Sequence, residues 1–233
     1  MSNPKRIVIL TGAGISAESG IQTFRDTGGL WEDHPVEQVA TPEGFAADPV
    51  LVHRFYNLRR AALAGVNPNA AHGALADLQE GFSGEVTLVT QNVDDLHERG
   101  GSKHVIHMHG ELLSAFCSAC DHRWRQETDL TVETSCPACR SKGGSRPDIV
   151  WFGEMPYDMD CIEQALKNCD LFVSIGTSGA VYPAAGFVQL AHRHGAQTLE
   201  LNLEPSQGSA FFGETRHGLA TQLVPEWVKS VLV

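Results

Sequence analysis

With 233 residues, 42% of them hydrophobic and 19% charged, the chain can bury one large core, or one core with a small appended module. No apolar run reaches the roughly 18 residues of a membrane span, and a formal net charge of −11 without a Lys/Arg-rich block argues against a grip on nucleic-acid backbone. An acidic chain instead tolerates basic partners such as lysine-bearing peptides.

The N-terminus, MSNPKRIVIL, enters a short apolar run without a signal-peptide core or cleavage site, so a cytoplasmic location is expected. IVILTGAGISAESGI then predicts a strand, a glycine turn and a helix start. Gly12, Gly14 and Ala17 fit G-x-G-x-x-A, with Ala13, Ile15 and Ser16 between them. That geometry lets a pyrophosphate approach backbone N–H groups at a helix N-terminus, although ligand-free strand–helix turns match it too. A nicotinamide dehydrogenase would continue into a second strand ending in an acidic residue. Here QTFRDTGGLWEDH follows, a Gly-punctuated loop holding Thr23, Phe24, Arg25 and Trp31, suited to covering a dinucleotide. An ordinary hydride transferase is thereby excluded.

Residues 22–68 predict a loop and then a helix, Pro49 to Leu63, with no strand. On that helix Tyr56 and Arg59 are at i and i+3 and share a face. A phenol and a guanidinium converging in an apolar pocket suit a carboxylate, but spacing alone does not separate Arg59 from Arg54 and Arg60.

NAAHGALADLQEG predicts a helix with Ala71, Leu75 and Leu78 on one side. EVTLVTQN is a strand ending in Gln91, Asn92, Val93 and Asp94, and HVIHMHG another, carrying His104, His107 and His109. Residues 111–147 are polar and cysteine-marked. Cys117-x-x-Cys120 and Cys136-x-x-Cys139 have the spacing of a four-thiolate structural zinc site. Four thiolates saturate the ion, so His109 is not needed as a ligand, and disulfides suit an exported chain better.

PDIVWFG reads as a further strand, DMDCIEQALKNC as a helix placing Met159, Ile162, Ala165, Leu166 and Cys169 at helical spacing, and LFVSIGTS as a strand ending in Gly176, Thr177 and Ser178. Cys161 and Cys169 read as buried free thiols without a function. YPAAGFVQLAHRHG is a helix stopping at Gly195, QTLELNLE a strand ending in Asn202, Leu203 and Glu204, and ATQLV a last strand. Strands alternating with helices predict an α/β fold with a doubly wound, Rossmann-like parallel sheet. Polar residues at several strand ends belong around one crevice, though turn formation and capping explain each one singly.

GAGISAESGIQTFR, TQNVDDLH, HMHGE, the paired Cys-x-x-Cys, GTS and NLE occur in the order found in sirtuins, the NAD-dependent protein deacylases. Over essentially its whole length the chain resembles a short bacterial member. The resemblance implies a Rossmann-like large domain (1–31, 69–110 and 148–233) and a small domain of a helical insertion (32–68) and a zinc module (111–147). NAD would lie in the cleft between them, consumed as co-substrate, with an acyl-lysine peptide entering opposite. His109 matches the family's general base, while His104 and His107 match nothing and read as structural or exposed. Asn92 and Asp94 match positions at the nicotinamide end, and Gln91 one at the ribose. Phe24 and Arg25 match the cofactor loop; Thr177, Ser178, Asn202, Glu204 and Ala220 match the adenosine side. Tyr56 and Arg59 match the Tyr-x-x-Arg pair of succinyl-, malonyl- and glutaryl-lysine removers, which implies a dual deacetylase and desuccinylase. NAD-dependent mono-ADP-ribosyl transfer is the alternative enzyme reading. A zinc-ribbon binding module is a third, weakened because Arg123, Arg125, Arg140, Lys142 and Arg146 are interleaved with Asp121, Glu127, Asp129 and Glu133.

Overall fold

The run from Ile7 to Thr11 is buried at every position, as a strand covered on both faces must be. It forms most of β1 (Arg6–Thr11), and the glycine turn after it enters the short helix α1 (Ala13–Ala17). The computed structural model describes residues 4–21, 30, 31 and 34–233. Thr23, Phe24, Arg25 and the side chain of Trp31, all assigned to the cofactor loop, lie outside the described residues.

β2 (Leu30–Trp31) and β3 (His34–Pro35) form a small antiparallel ladder before α2 (Val36–Val39), α3 (Pro42–Ala47) and α4 (Pro49–Leu63). Among its described residues, the segment predicted to hold one helix and no strand thus holds three helices and this ladder. α4 starts where predicted because its first turn is fixed locally. The Asp48 carboxylate accepts the Leu51 N–H at 2.9 Å, and Pro49 sits where an N–H has no helical partner.

The chain continues through α5 (Ala70–Gly81), β4 (Glu85–Thr90), α6 (Leu96–Arg99), β5 (Val105–His107), β6 (Gly110–Cys117), β7 (Arg123–Arg125) and β8 (Ser145–Ile149). It ends with α7 (Met159–Asn168), β9 (Leu171–Ile175), α8 (Phe187–Arg193), β10 (Gln197–Asn202), β11 (Glu214–His217) and α9 (Ala220–Leu232).

Six strands make one parallel sheet in the order β11-β10-β9-β1-β4-β5. The order reverses at β1, which lies between β4 and β9, so a crevice opens outside the carboxyl ends of β1 and β9. One face is covered by α5 and α9, with Leu75, Leu78, Val224 and Trp227 in a single core. The other is covered by α7 and α8 through Ile162, Leu166, Phe187 and Val188. Each fully buried Leu contributes about 1.5–3 kcal/mol of apolar burial. A third core joins Val52, Phe55 and Tyr56 of α4 to Leu112, Ile149 and Trp151 beside a second, antiparallel sheet, β7-β6-β8.

Three expectations need correction. ATQLV opens α9 rather than forming a strand; five apolar-rich residues do not distinguish the two, and Val224, Trp227 and Val228 are buried at helical spacing. PDIV falls largely in β8, which pairs antiparallel with β6 and not with the parallel sheet. Cys161 is exposed, because the helical turn that buries Ile162 and Leu166 points the preceding residue outward, whereas Cys169 is buried. β11 carries the polar sequence ETRH at the sheet edge and has no apolar signal to predict it. Among the described residues no helix is long and apolar enough to cross a membrane.

Candidate active site

A cleft of about 990 Å³ opens at the switch point of the parallel sheet. Its floor is the glycine turn after β1. Gly12 donates its N–H to Ile175 O at 3.0 Å and Gly14 to Gly176 O at 2.9 Å, which holds the turn against the end of β9. A Cβ on Gly14 would lie 2.6 Å from Gly176 Cα, and one on Gly12 2.9 Å from Gly176 O. Only glycine permits this approach. Gly12, Ala13, Gly14 and Ala17 line the cleft; Ile15 and Ser16 are buried behind it. The Gly12 and Gly14 amides are therefore committed within the protein, while the Ala13 amide has no main-chain acceptor among the described residues.

Gln91, Asn92, Val93 and Asp94 enter from the end of β4, and His109 from just beyond β5. Ser16 organises this wall from behind. Its hydroxyl donates to Asp94 Oδ2 at 3.2 Å and accepts from Asn92 Nδ2 at 3.1 Å. Asp94 Oδ1 takes the Leu96 N–H at 3.1 Å. Burial raises the Asp94 carboxyl above its ordinary range, with the Leu96 and Ser16 bonds pulling the other way.

His109 Nδ1 is 3.1 Å from Gln91 O. A carbonyl oxygen only accepts, so Nδ1 carries the proton and the neutral ring keeps its lone pair on Nε2. Burial lowers the His109 pKa, and the Gln91 bond opposes this. His107 has the opposite balance. Burial would lower it, but its Nε2 meets Glu98 Oε1 at 2.8 Å and the pair holds His107 above its usual range. His104 is exposed.

On the far side Gly176, Thr177 and Ser178 follow β9, and Asn202, Leu203 and Glu204 close β10. Asn202 Nδ2 donates to Thr177 O at 2.8 Å, tying the two strand ends together. Ala220 begins α9, where the Glu18 carboxylate accepts both the N–H and the hydroxyl of Thr221, at 3.0 and 2.7 Å. Glu18 escaped sequence reasoning because its partner is distant in the chain.

Tyr56 and Arg59 also border the cleft, near Trp151. The Tyr56 oxygen accepts from Trp151 Nε1 at 3.0 Å, and burial raises the phenol pKa, so the neutral form persists. Arg60, the alternative on spacing, turns away: its Nε donates to Leu112 O at 3.1 Å and its Nη1 to Asn57 Oδ1 at 2.6 Å. The three-dimensional fold separates the two arginines. Trp151 and Glu154 were missed in the sequence, where PDIVWFG reads simply as a strand and Glu154 falls just beyond it.

The four cysteines lie apart from the cleft lining, at one end of the antiparallel sheet. Cys117 and Cys139 sulfurs are 3.7 Å apart, as are those of Cys120 and Cys136, and all four fall within 4.8 Å. Tetrahedral zinc with Zn–S bonds of about 2.3 Å requires sulfurs about 3.8 Å apart. The two loops are near-copies. Asp121 N–H returns to Cys117 O and Arg140 N–H to Cys136 O, each at 2.9 Å, with φ of 57° and 64° at the residue after the second cysteine. This donor set fits one structural zinc ion and leaves no position for a substrate.

A Sir2 family model matches residues 12–183. Among curated relatives, the NAD-dependent protein deacylase of Yersinia pestis is 58% identical over 228 residues, covering 97% of this chain and 82% of the relative. That of Caulobacter vibrioides is 55% identical, covering 97% of each chain, and that of Pasteurella multocida 56% identical, covering 100% of each. Among solved structures, a Sir2 homolog–NAD complex superposes with TM-score 0.89 at 37% identity, covering 98% of this chain and 90% of that one. A Sir2 bound to acetylated peptide superposes with TM-score 0.83 at 28% identity, covering 97% and 93%.

Proposed function

The chain belongs to the Sir2 family, and from that premise we propose that it removes acyl groups, acetyl and succinyl, from protein lysines at the expense of NAD. The observation that carries this reading is His109: a neutral imidazole with Nδ1 held by Gln91 O, in one cleft with the glycine turn and the Asn92–Asp94 wall. Bound NAD supplies an electrophilic ribose carbon whose leaving group is nicotinamide.

The glycine turn at Gly12–Gly14 would take the pyrophosphate, since no side chain there blocks backbone approach. Thr177, Ser178, Asn202, Leu203, Glu204 and Ala220 would flank the adenosine half. Gln91, Asn92 and Asp94 would hold the nicotinamide riboside, with Asn92 and Asp94 fixed by Thr90 and Ser16 and the Gln91 N–H by Thr11 O. His109 Nε2 would draw a proton from a ribose hydroxyl; a neutral imidazole suits that task near pH 7. Phe24 and Arg25 are assigned to the cofactor loop by motif alone, with Thr23 and Trp31 beside them.

We assign the acyl chain to the side of the cleft lined by Tyr56 and Arg59, with the guanidinium and the neutral phenol recognising a distal carboxylate. The Rossmann-like domain is taken as 1–31, 69–110 and 148–233, and the small domain as 32–68 plus 111–147. The four clustered cysteines, arranged as metal ligands rather than as disulfides, and the bacterial relatives support a cytoplasmic location.

The test is mass spectrometry of matched acetyl- and succinyl-lysine peptides, with and without NAD, with His109→Ala as control. NAD-dependent loss of both acyl groups, with nicotinamide and O-acyl-ADP-ribose appearing, is expected. ADP-ribose transferred to the protein while the peptides stay acylated would replace this reading by mono-ADP-ribosyl transfer.

A further inference from the structure

The Tyr56 phenol does not face the cleft unsupported. Trp151 Nε1 donates to its oxygen at 3.0 Å, and both side chains are buried, at 0% and 2% exposure. An indole N–H is a donor only, so the phenol oxygen is the acceptor in this bond. The phenol's own proton therefore points away from the indole. Loss of the indole N–H would remove the donor that orients the phenol oxygen.

The indole is itself clamped. The Arg146 guanidinium carbon lies 4.0 Å from the Trp151 ring centroid and 5.3 Å from that of Phe116 on β6. Arg146 Nη2 bonds Glu154 Oε2 at 2.9 Å, and the same carboxylate oxygen accepts the Trp151 main-chain N–H at 2.9 Å. The carboxylate thus grips the tryptophan's backbone and the cation stacked on its ring. The stack continues through Phe116 to Arg123, whose guanidinium carbon is 4.9 Å from the Phe116 centroid and 4.7 Å from that of Tyr157. Stacked arginines of this kind hold an aromatic plane more firmly than apolar contact alone. The ring that contacts Tyr56 is thereby braced from β6, β7 and β8.

We propose that Trp151, held by Arg146 and Glu154, is a positioning residue for acyl selectivity: it fixes Tyr56 as a hydrogen-bond donor toward an acyl carboxylate. This rests on the carboxylate-recognition reading of Tyr56 and Arg59. An acetyl group has no distal carboxylate to accept that proton, so its removal depends on Trp151 only through the shape of the pocket.

The test compares Trp151→Phe, Tyr56→Phe and the double variant, measuring kcat/KM on matched succinyl- and acetyl-lysine peptides. Trp151→Phe keeps an aromatic ring under Arg146 and removes the N–H. It should lower the succinyl-to-acetyl ratio about fivefold, mainly through a higher KM for the succinyl peptide, because a hydrogen bond to a charged group is weakened. In the Tyr56→Phe background the same change should leave the ratio where Tyr56→Phe put it. An equal fall on both peptides, or a further fall of the ratio in the double variant, overturns the proposal. If Tyr56→Phe and Arg59→Met both leave the ratio unchanged, the carboxylate reading itself fails. A thermal melt of each variant identifies a change that comes only from lost folding.

Discussion

His109 sets its Nδ1 3.1 Å from the main-chain oxygen of Gln91, so the ring nitrogen left with a lone pair is Nε2. Burial also lowers the pKa of this ring from 6.5, and the base form persists to lower pH than in a free histidine. The kcat/KM for deacylation should therefore climb from the acid side with an apparent pKa below 6.5 and be level through neutrality. His109→Ala should cost about 10²–10⁴-fold. An unchanged acid limb in His109→Ala would assign that limb to another group.

Arg59→Met should depress desuccinylation far more than deacetylation, by about tenfold in their ratio, since a charge-assisted bond to a carboxylate is lost while the aliphatic stem remains. Arg54→Met, on the same helix, serves as the control and should leave the ratio alone. Steady-state rates on paired peptides decide the matter; a parallel loss on both substrates rules out a carboxylate-reading role.

Acid should destabilise the fold above the range in which carboxylates titrate. His53 and His72 are lowered to about 4 and His97 to about 3, in each case first by burial. In the folded state these rings stay neutral, while in the unfolded chain they bind protons near pH 6.5. The unfolded state therefore holds more protons between pH 6.5 and about 4, and stability falls as pH falls through that window. Each ring contributes on the order of 1 kcal/mol per pH unit there. His107, raised by Glu98, works in the opposite sense, adding stability below pH 6.5 that is lost as pH rises through its folded pKa. These three rings, joined by His109, outweigh His107, so the urea midpoint should drop between pH 7 and pH 5. A flat or rising midpoint would show these rings to be solvated.

Gly14→Ala should lower both Tm and NAD affinity. The new methyl would sit 2.6 Å from Gly176 Cα, backbone against backbone, with no flexible side chain to yield. Overpacking of this kind costs about 1–3 kcal/mol, equivalent to a few degrees in Tm for a chain of this size. Gly73, where a Cβ meets nothing within 4 Å, is the matched control. Calorimetry and NAD titration on the two alanine variants make the comparison.

The purified protein should carry one zinc per chain, released by a thiol-modifying mercurial in proportion to the four cysteines. Cys136→Ser, at a buried position, should abolish the metal and unfold the antiparallel sheet with it. Full metal content in that variant would mean that the ion is held elsewhere.

Five of the six parallel strands, the helix from Pro49 to Leu63, the paired cysteine loops and the glycine turn were legible in the sequence, because each depends on local chemistry. Apolar runs mark strands buried on both faces, Asp48 and Pro49 mark a helix start, and Cys-x-x-Cys is a self-contained turn. What lacked a local signature was not legible. β11 is polar because it lies at an edge, and ATQLV is too short for its period to be read. Ordering of polar strand ends into one crevice was an expectation from the fold class, and the β1–β9 switch point supplies it.

Sequence alone determined which residue types are present and how they are spaced: a glycine turn, a histidine after a strand, four thiols, a phenol and a guanidinium one helical turn apart. Only the tertiary structure decided their working state. It gave His109 its tautomer through Gln91, set Asp94 behind Ser16, turned Arg60 to Leu112, and placed the Trp151 N–H against Tyr56. Tautomers, hydroxyl orientations and burial depend on partners that are distant in the chain, and no local periodicity records them.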